Sequence, residues 1–206
     1  ENIVNKGLNG VEFTAVVNGK SYPVKVNLPG RHNVYNALAA ICTGMVFGVD
    51  VEECIRGIAK CEYTAQRLQI EYHNGIEIIN DCYNASPDSI KAALSIMPYS
   101  IQKRRVAVLG DVLEMGEYAK KAHYDLGREI IKNKIDLLVT AGENAREIAR
   151  GAADLGFTDS VSFDKTLGAE NYVKENIKDG DCVLVKASHG MHFEKVADAI
   201  KEINAD

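Results

Sequence analysis

No apolar run in this sequence is long enough to cross a bilayer, and its N-terminus carries no signal-peptide pattern. The expectation is a cytoplasmic protein without membrane insertion. Paired cysteines are also lacking. Cys42, Cys54, Cys61, Cys82 and Cys182 are odd in number, scattered and without a CxxC spacing. This speaks against a disulfide framework or a zinc site and for reduced thiols, of which Cys82 alone lies in a candidate site. Nor is there a surplus of basic residues. A formal net charge of −5 disfavours nucleic acid as a partner, although a local anion site stays compatible with it. Several catalytic signatures are missing: the GxxxxGK[ST] phosphate loop, the GxGxxG dinucleotide fingerprint, the GxSxG nucleophile elbow and the HExxH zinc motif.

What is present supports a real core. An apolar fraction of 46% over 206 residues suits one large domain or two small ones. The chain begins at Glu1 rather than Met, and mid-pattern, so it reads as a piece of something longer. Alternating stretches at 12–17 and 21–26 flank Asn18-Gly19, a hairpin signal. Helical spacing follows over 33–47 and again over 51–59, where Asp50 suits an N-cap. A linker at 63–67 precedes a change of grammar. Short strands at 68–71 and 76–79 flank Asn74-Gly75. Strands at 105–109, 135–140, 161–163 and 182–186 then alternate with helices near 87–97, 118–132, 144–155, 166–177 and 191–203. Repeated βα units with continuous apolar strands predict an α/β fold, a mostly parallel, doubly wound Rossmann-like sheet with helices on both faces. It is preceded by a partial α+β segment. The predicted domains are 1–64 and 65–206.

The candidate chemistry gathers after the strands, where open α/β sheets bind ligands. Asn80-Asp81-Cys82-Tyr83-Asn84-Ala85-Ser86-Pro87-Asp88-Ser89 carries more side-chain chemistry than a turn requires. Ser86 before Pro87 also suits an ordinary helix cap. Lys186-Ala187-Ser188-His189-Gly190-Met191 places small residues at a helix start, which suits an anion. Gly110-Asp111 and Glu114 set carboxylates beside flexible backbone, as solvated acids or as ligands for a metal or an ammonium. His123 falls on a helix, where a hydrogen-bonded structural role is the commoner one.

Three motifs together resemble the Mur ligase superfamily, the ATP-dependent amide-forming enzymes of peptidoglycan synthesis. They are the segment Leu28-Pro29-Gly30-Arg31-His32-Asn33-Val34-Tyr35-Asn36-Ala37-Leu38-Ala39-Ala40, the pair Gln66-Arg67 with Asn80-Asp81, and the run from Val108 to Gly116 with His123. The loop from Asn80 to Ser89, with the run from Val108 to Gly116 and His123, most resembles the superfamily members that add D-alanyl-D-alanine to UDP-N-acetylmuramoyl-tripeptide. The resemblance implies that residues 1–64 end the central ATPase domain and that residues 65–206 form the C-terminal domain. It implies ATP and magnesium as requirements of the whole enzyme, and those two molecules as its substrates. It places His32, Asn33 and Asn36 on the adenine side, Arg67 against ATP from the domain junction, and Asp81 against ribose hydroxyls. Tyr83, Asn84, Ser86, Asp111 and Ser188 fall to the substrate side, and no metal ligand falls within these residues. Two positions depart from the family: Ser86 stands where members usually carry Asn, and His189 where they usually carry Arg. The phosphate loop, the magnesium-binding acids and the modified lysine of the central domain are missing, so the piece alone is expected to lack ligase activity and to bind ATP weakly at best. A related ligase for another amino acid, folate or polymer substrate, and a non-catalytic nucleotide-binding module, are the alternatives.

Overall fold

The computed structural model describes residues 1–204. The chain divides into two compact units, Glu1–Tyr63 and Thr64–Asp206.

In the first unit, strands β1 (Val4–Asn5), β2 (Val11–Val17) and β3 (Lys20–Val26) form an antiparallel sheet in that order. The β2–β3 turn puts Asn18 and Gly19 at φ of 50° and 77°, a region that asparagine and glycine tolerate best. Alternation along β2 sends Val11, Phe13 and Ala15 inward. They meet Val24 and Val26 of β3 and Val34, Ala37 and Ile41 of α1 (His32–Val46). Helix α2 (Val51–Ile58) adds Ile58 to this core. Asp50 occupies the N-cap position of α2, but its side chain makes no capping hydrogen bond. Glu52 and Glu53 supply the negative charge that favours this helix start instead.

The second unit holds a six-stranded sheet ordered β4-β5-β9-β6-β7-β8. Its strands are β4 (Gln69–His73), β5 (Ile76–Asn80), β6 (Arg104–Gly110), β7 (Leu137–Ala141), β8 (Ser160–Phe163) and β9 (Asp181–Lys186). Only β4, at the edge, runs antiparallel to its neighbour. The helices are α3 (Pro87–Leu94), α4 (Ala119–Lys132), α5 (Arg146–Ala153), α6 (Thr166–Asn176) and α7 (Glu194–Lys201). Ile76, Ile78, Val106, Val108, Val183 and Val185 pack against Ala169 and Val173 of α6 and Val196 and Ile200 of α7. The residues that alternate with them, Ile79, Ala107, Leu109 and Leu184, are equally buried and point to the opposite face. Helices α3, α4 and α5 pack there, in contact with one another and with β9 and β7. This is the doubly wound, mostly parallel fold that the βα alternation predicts.

One feature of the topology positions the site. Strand β9 returns to lie between β5 and β6, so that Asn80 is level with Val185 and Leu109 with Lys186. The loops after β5, β9 and β6 therefore emerge side by side. The helix after β9 covers one face, whereas those after β5 and β6 cover the other. A crevice at such a reversal is where open α/β sheets bind ligands.

Candidate functional site

The loop after β5 is clamped to β9 at its first residues. Asp81 extends the ladder by donating its N–H to the Val185 carbonyl at 2.9 Å. Its carboxylate accepts from the Leu68 N–H at 3.0 Å through Oδ1 and from Lys186 Nζ at 2.5 Å through Oδ2. Lys186 also donates to the Asn84 carbonyl at 3.0 Å. At 1% exposure Lys186 has lost its hydration, and the carboxylate supplies the compensating charge. Cys82 is sealed beside this pair, its Sγ donating to the Val185 carbonyl at 3.4 Å. Burial pushes the Cys82 thiol far above its ordinary range, with the Asp81 charge adding to the effect. It is a packed thiol and not a nucleophile.

The loop after β6 is held from both sides. Instead of standing solvated, Asp111 is buried and its carboxylate accepts three backbone N–H bonds, from Glu143, Asn144 and Ala145, at 3.1, 3.0 and 2.6 Å. Gly142 makes room for it: a Cβ there would lie 2.4 Å from Asp111 Oδ1. His123, fully buried on α4, accepts the Val112 N–H at Nε2 (2.9 Å) and faces the Ala119 carbonyl at 2.6 Å through Nδ1. The hydrogen therefore sits on Nδ1. Ser188 bridges from β9, its N–H donating to the Asp111 carbonyl (3.0 Å) and its Oγ accepting from the Leu113 N–H (2.9 Å).

Between these loops lies a cleft of about 370 Å³, lined by Tyr83, Asn84, Ala85, Leu113, Glu114, Ser188, His189 and Gly190. One wall comes from the loop after β5, the opposite wall from the loop after β6, and the floor from the short 3-10 turn entered at Ser188. The Arg67 guanidinium lies 4.0 Å from the centroid of the Tyr83 ring, and the His189 ring packs on Tyr83 at 6.0 Å. A phenol, a carboxamide, a hydroxyl, an imidazole and a carboxylate thus converge around the small apolar surfaces of Ala85 and Leu113. Such a set suits a small molecule with charged ends.

The structure gathers Arg67, Asp81, Tyr83, Asn84, Asp111 and Ser188 at one edge of the second unit. Ser86 is engaged elsewhere. Its Oγ accepts the Ser89 N–H while the Ser89 hydroxyl oxygen accepts the Ser86 N–H, a capping box for α3 followed by Pro87 at the first helical position. In the first unit, Asn33 is buried and donates to the Pro29 carbonyl at 2.8 Å, while Asn36 Nδ2 donates to Asn33 Oδ1 at 2.9 Å. The half-buried His32 ring sits over Gly30, where a Cβ would come within 2.5 Å of it. Glu114 and Gly190, both within candidate segments of the sequence, line the cleft, whereas sequence reasoning missed Leu113 as a lining residue and Lys186 as the counterion of Asp81. For Lys186 a signal existed, a lysine closing the apolar run Cys182-Val183-Leu184-Val185. The residues present form no protein cage for magnesium: among the described residues no three His, Cys, Asp or Glu side chains converge as a metal site.

Comparison with known proteins gives the family and the fold. A Bacillus subtilis UDP-N-acetylmuramoyl-tripeptide–D-alanyl-D-alanine ligase is 37% identical over 197 residues, covering 94% of this chain and 42% of that protein. A solved MurF from Acinetobacter baumannii superposes with a TM-score of 0.86 at 26% identity, over 98% of this chain and 44% of that one. A Thermotoga maritima MurF ligase solved in complex with ADP shares the fold, with a TM-score of 0.77 at 21% identity, over 98% of this chain and 45% of that one. The chain thus spans less than half the length of these relatives. The family description "Mur ligase middle domain" matches residues 1–44. With "Mur ligase, glutamate ligase domain" matching residues 66–189, from before β4 to His189 beyond β9, the chain belongs to the Mur ligase family.

Proposed function

We propose that this chain is the amine-substrate part of an ATP-dependent ligase that joins D-alanyl-D-alanine to UDP-N-acetylmuramoyl-tripeptide. The observation that carries the reading is the cleft at the ends of β5, β9 and β6, roomy enough for a dipeptide and lined by Tyr83, Asn84, Glu114, Ser188 and His189. The name of the Bacillus subtilis relative supports the choice of substrates. ATP supplies the activation: transfer of its terminal phosphoryl group to the substrate carboxylate gives an acyl phosphate and ADP, and attack by the dipeptide amine forms the amide with release of phosphate and a proton. The part of this chain is to bind and orient. Asn84 and Ser188 present hydrogen-bonding groups to the dipeptide, and the Tyr83 ring forms one wall. Holding the amine in line with its target converts a bimolecular step into a local one.

On the nucleotide side, Arg67 offers a guanidinium to phosphate, its position steadied by the Tyr83 ring. Asp81 keeps acceptor capacity for ribose hydroxyls, because a carboxylate has about four lone-pair sites and two are taken. Asn36, with His32 and Asn33, belongs to the adenine side; Asn33 is the more constrained, since both ends of its amide are already bonded. The first unit is the end of the central ATPase domain, the segment near 63–67 is the hinge, and the whole works in the cytoplasm, where the five free thiols stay reduced.

The test is ADP release by the full-length protein. Turnover is expected with D-alanyl-D-alanine and the UDP-tripeptide; preference for a single amino acid instead would move the chain to another ligase of the family. The 206-residue chain alone is expected to give no turnover and only weak ATP binding by calorimetry, because its sequence holds no phosphate loop. Robust turnover by that chain would contradict the reading.

A further inference from the structure

Lysine is rarely buried, because its ammonium gives up hydration that few protein groups replace. Strand β9 nevertheless delivers Lys186 to a slot where only 1% of it is exposed. Its Nζ meets two acceptors of the neighbouring loop, Asp81 Oδ2 and the Asn84 carbonyl oxygen. The two belong to different sides of the site. Asp81 lies on the nucleotide side, whereas Asn84 lines the cleft. Asp81 alone neutralises the ammonium, so the bond to Asn84 is not needed for charge balance. It has a different effect. Asp81 and Cys82 are fixed by the Val185 carbonyl and Tyr83 by the Gln66 carbonyl. Among the described residues, the Asn84 side chain bonds only to the next residue, accepting the Ala85 N–H. The Lys186 bond is therefore the last tie from the body of the sheet to the cleft wall before the α3 cap begins at Ser86.

Resting on the function proposed above, we infer that Lys186 is a positioning residue for the dipeptide wall: its ammonium holds the Asn84 carbonyl, and with it the wall from Tyr83 to Ala85, while neutralising Asp81. Lys186 touches no substrate and acts through Asn84. One ammonium thereby joins the nucleotide side of the site to the amine side.

The full-length ligase is the protein to measure. Asp81→Asn removes the carboxylate charge and leaves Lys186 bonded to Asn84. Adding Lys186→Met to it removes the ammonium and the tie together. The double variant is expected to melt at or above the temperature of Asp81→Asn, because an unpaired buried charge is gone. Its KM for D-alanyl-D-alanine is expected to stand about tenfold higher, with kcat changed far less. A lysine that is merely structural gives the opposite pattern, a dipeptide KM equal to or below that of Asp81→Asn, and this overturns the inference. A second measurement needs no variant to fold. In unsubstituted enzyme labelled with [ε-15N]lysine, the Lys186 ammonium signal is expected to shift on saturation with D-alanyl-D-alanine, and an unmoved signal overturns the inference. Lack of turnover with D-alanyl-D-alanine by the unsubstituted enzyme is a separate outcome, since it defeats the functional reading itself.

Discussion

An uncompensated charge inside a protein costs several kcal/mol, so Asp81 and Lys186 stand or fall as a pair. Lys186→Met in the 206-residue chain leaves the carboxylate buried without its cation, and a stability loss of roughly 3–5 kcal/mol is expected in a urea melt. Asp111→Ala strands three backbone N–H donors on the loop after β7, and a loss of about 1–3 kcal/mol is expected by the same measurement. The cysteines separate by environment. Desolvation raises the Cys82 and Cys182 thiols, so their thiolate is scarcer at any neutral pH than at an ordinary cysteine. Alkylation of the folded chain near pH 8, read by mass spectrometry, is expected to label exposed Cys42 and Cys61 and spare those two. At this scale the sequence revealed which residue types gather at the sheet edge but not their partners. Asp111 reads as a solvated acid until β7 and its loop are brought beside it, a contact some thirty residues away that no local pattern encodes.

Among the elements, local chemistry and tertiary contact can be told apart. The hairpins at Asn18-Gly19 and Asn74-Gly75 were legible because both central residues need positive φ, and all four have it. Boundaries were less so. The strand predicted from 135 begins at Leu137, since Ile135 still donates its N–H to the Ile130 carbonyl at the close of α4. The last helix, predicted from 191, begins at Glu194 because His192 takes a left-handed conformation and interrupts it. The close crossing of α4 and α5 was not legible at all. A Cβ on Gly127 would lie 2.3 Å from the Ala152 nitrogen, and one on Gly151 would lie 2.1 Å from the Tyr124 carbonyl oxygen. Gly127→Ala is therefore expected to destabilise the chain by about 1–3 kcal/mol despite the better helix propensity of alanine, a balance that thermal unfolding reads directly. Ser86→Ala removes one arm of the α3 capping box, with an expected loss of about 0.5–2 kcal/mol.

In the whole molecule, the division after Tyr63 falls where the sequence changes from a hairpin with two helices to repeated βα units. The doubly wound fold was readable from that repetition, but the strand order was not. That β9 returns between β5 and β6 depends on non-local pairing, and it is this return that sets the three loops together. The loop from Asn80 to Ser89 lies within the matched family domain, and the geometry divides its residues among different tasks. Asp81 belongs to a buried ion pair, Tyr83 and Asn84 to the cleft, and Ser86 to a helix cap. The most direct measurement is a crystal structure of the full-length ligase with D-alanyl-D-alanine bound. The dipeptide is expected in the cleft between Tyr83–Ala85 and Leu113–Glu114, above Ser188–Gly190. A dipeptide bound away from these three loops would contradict the account.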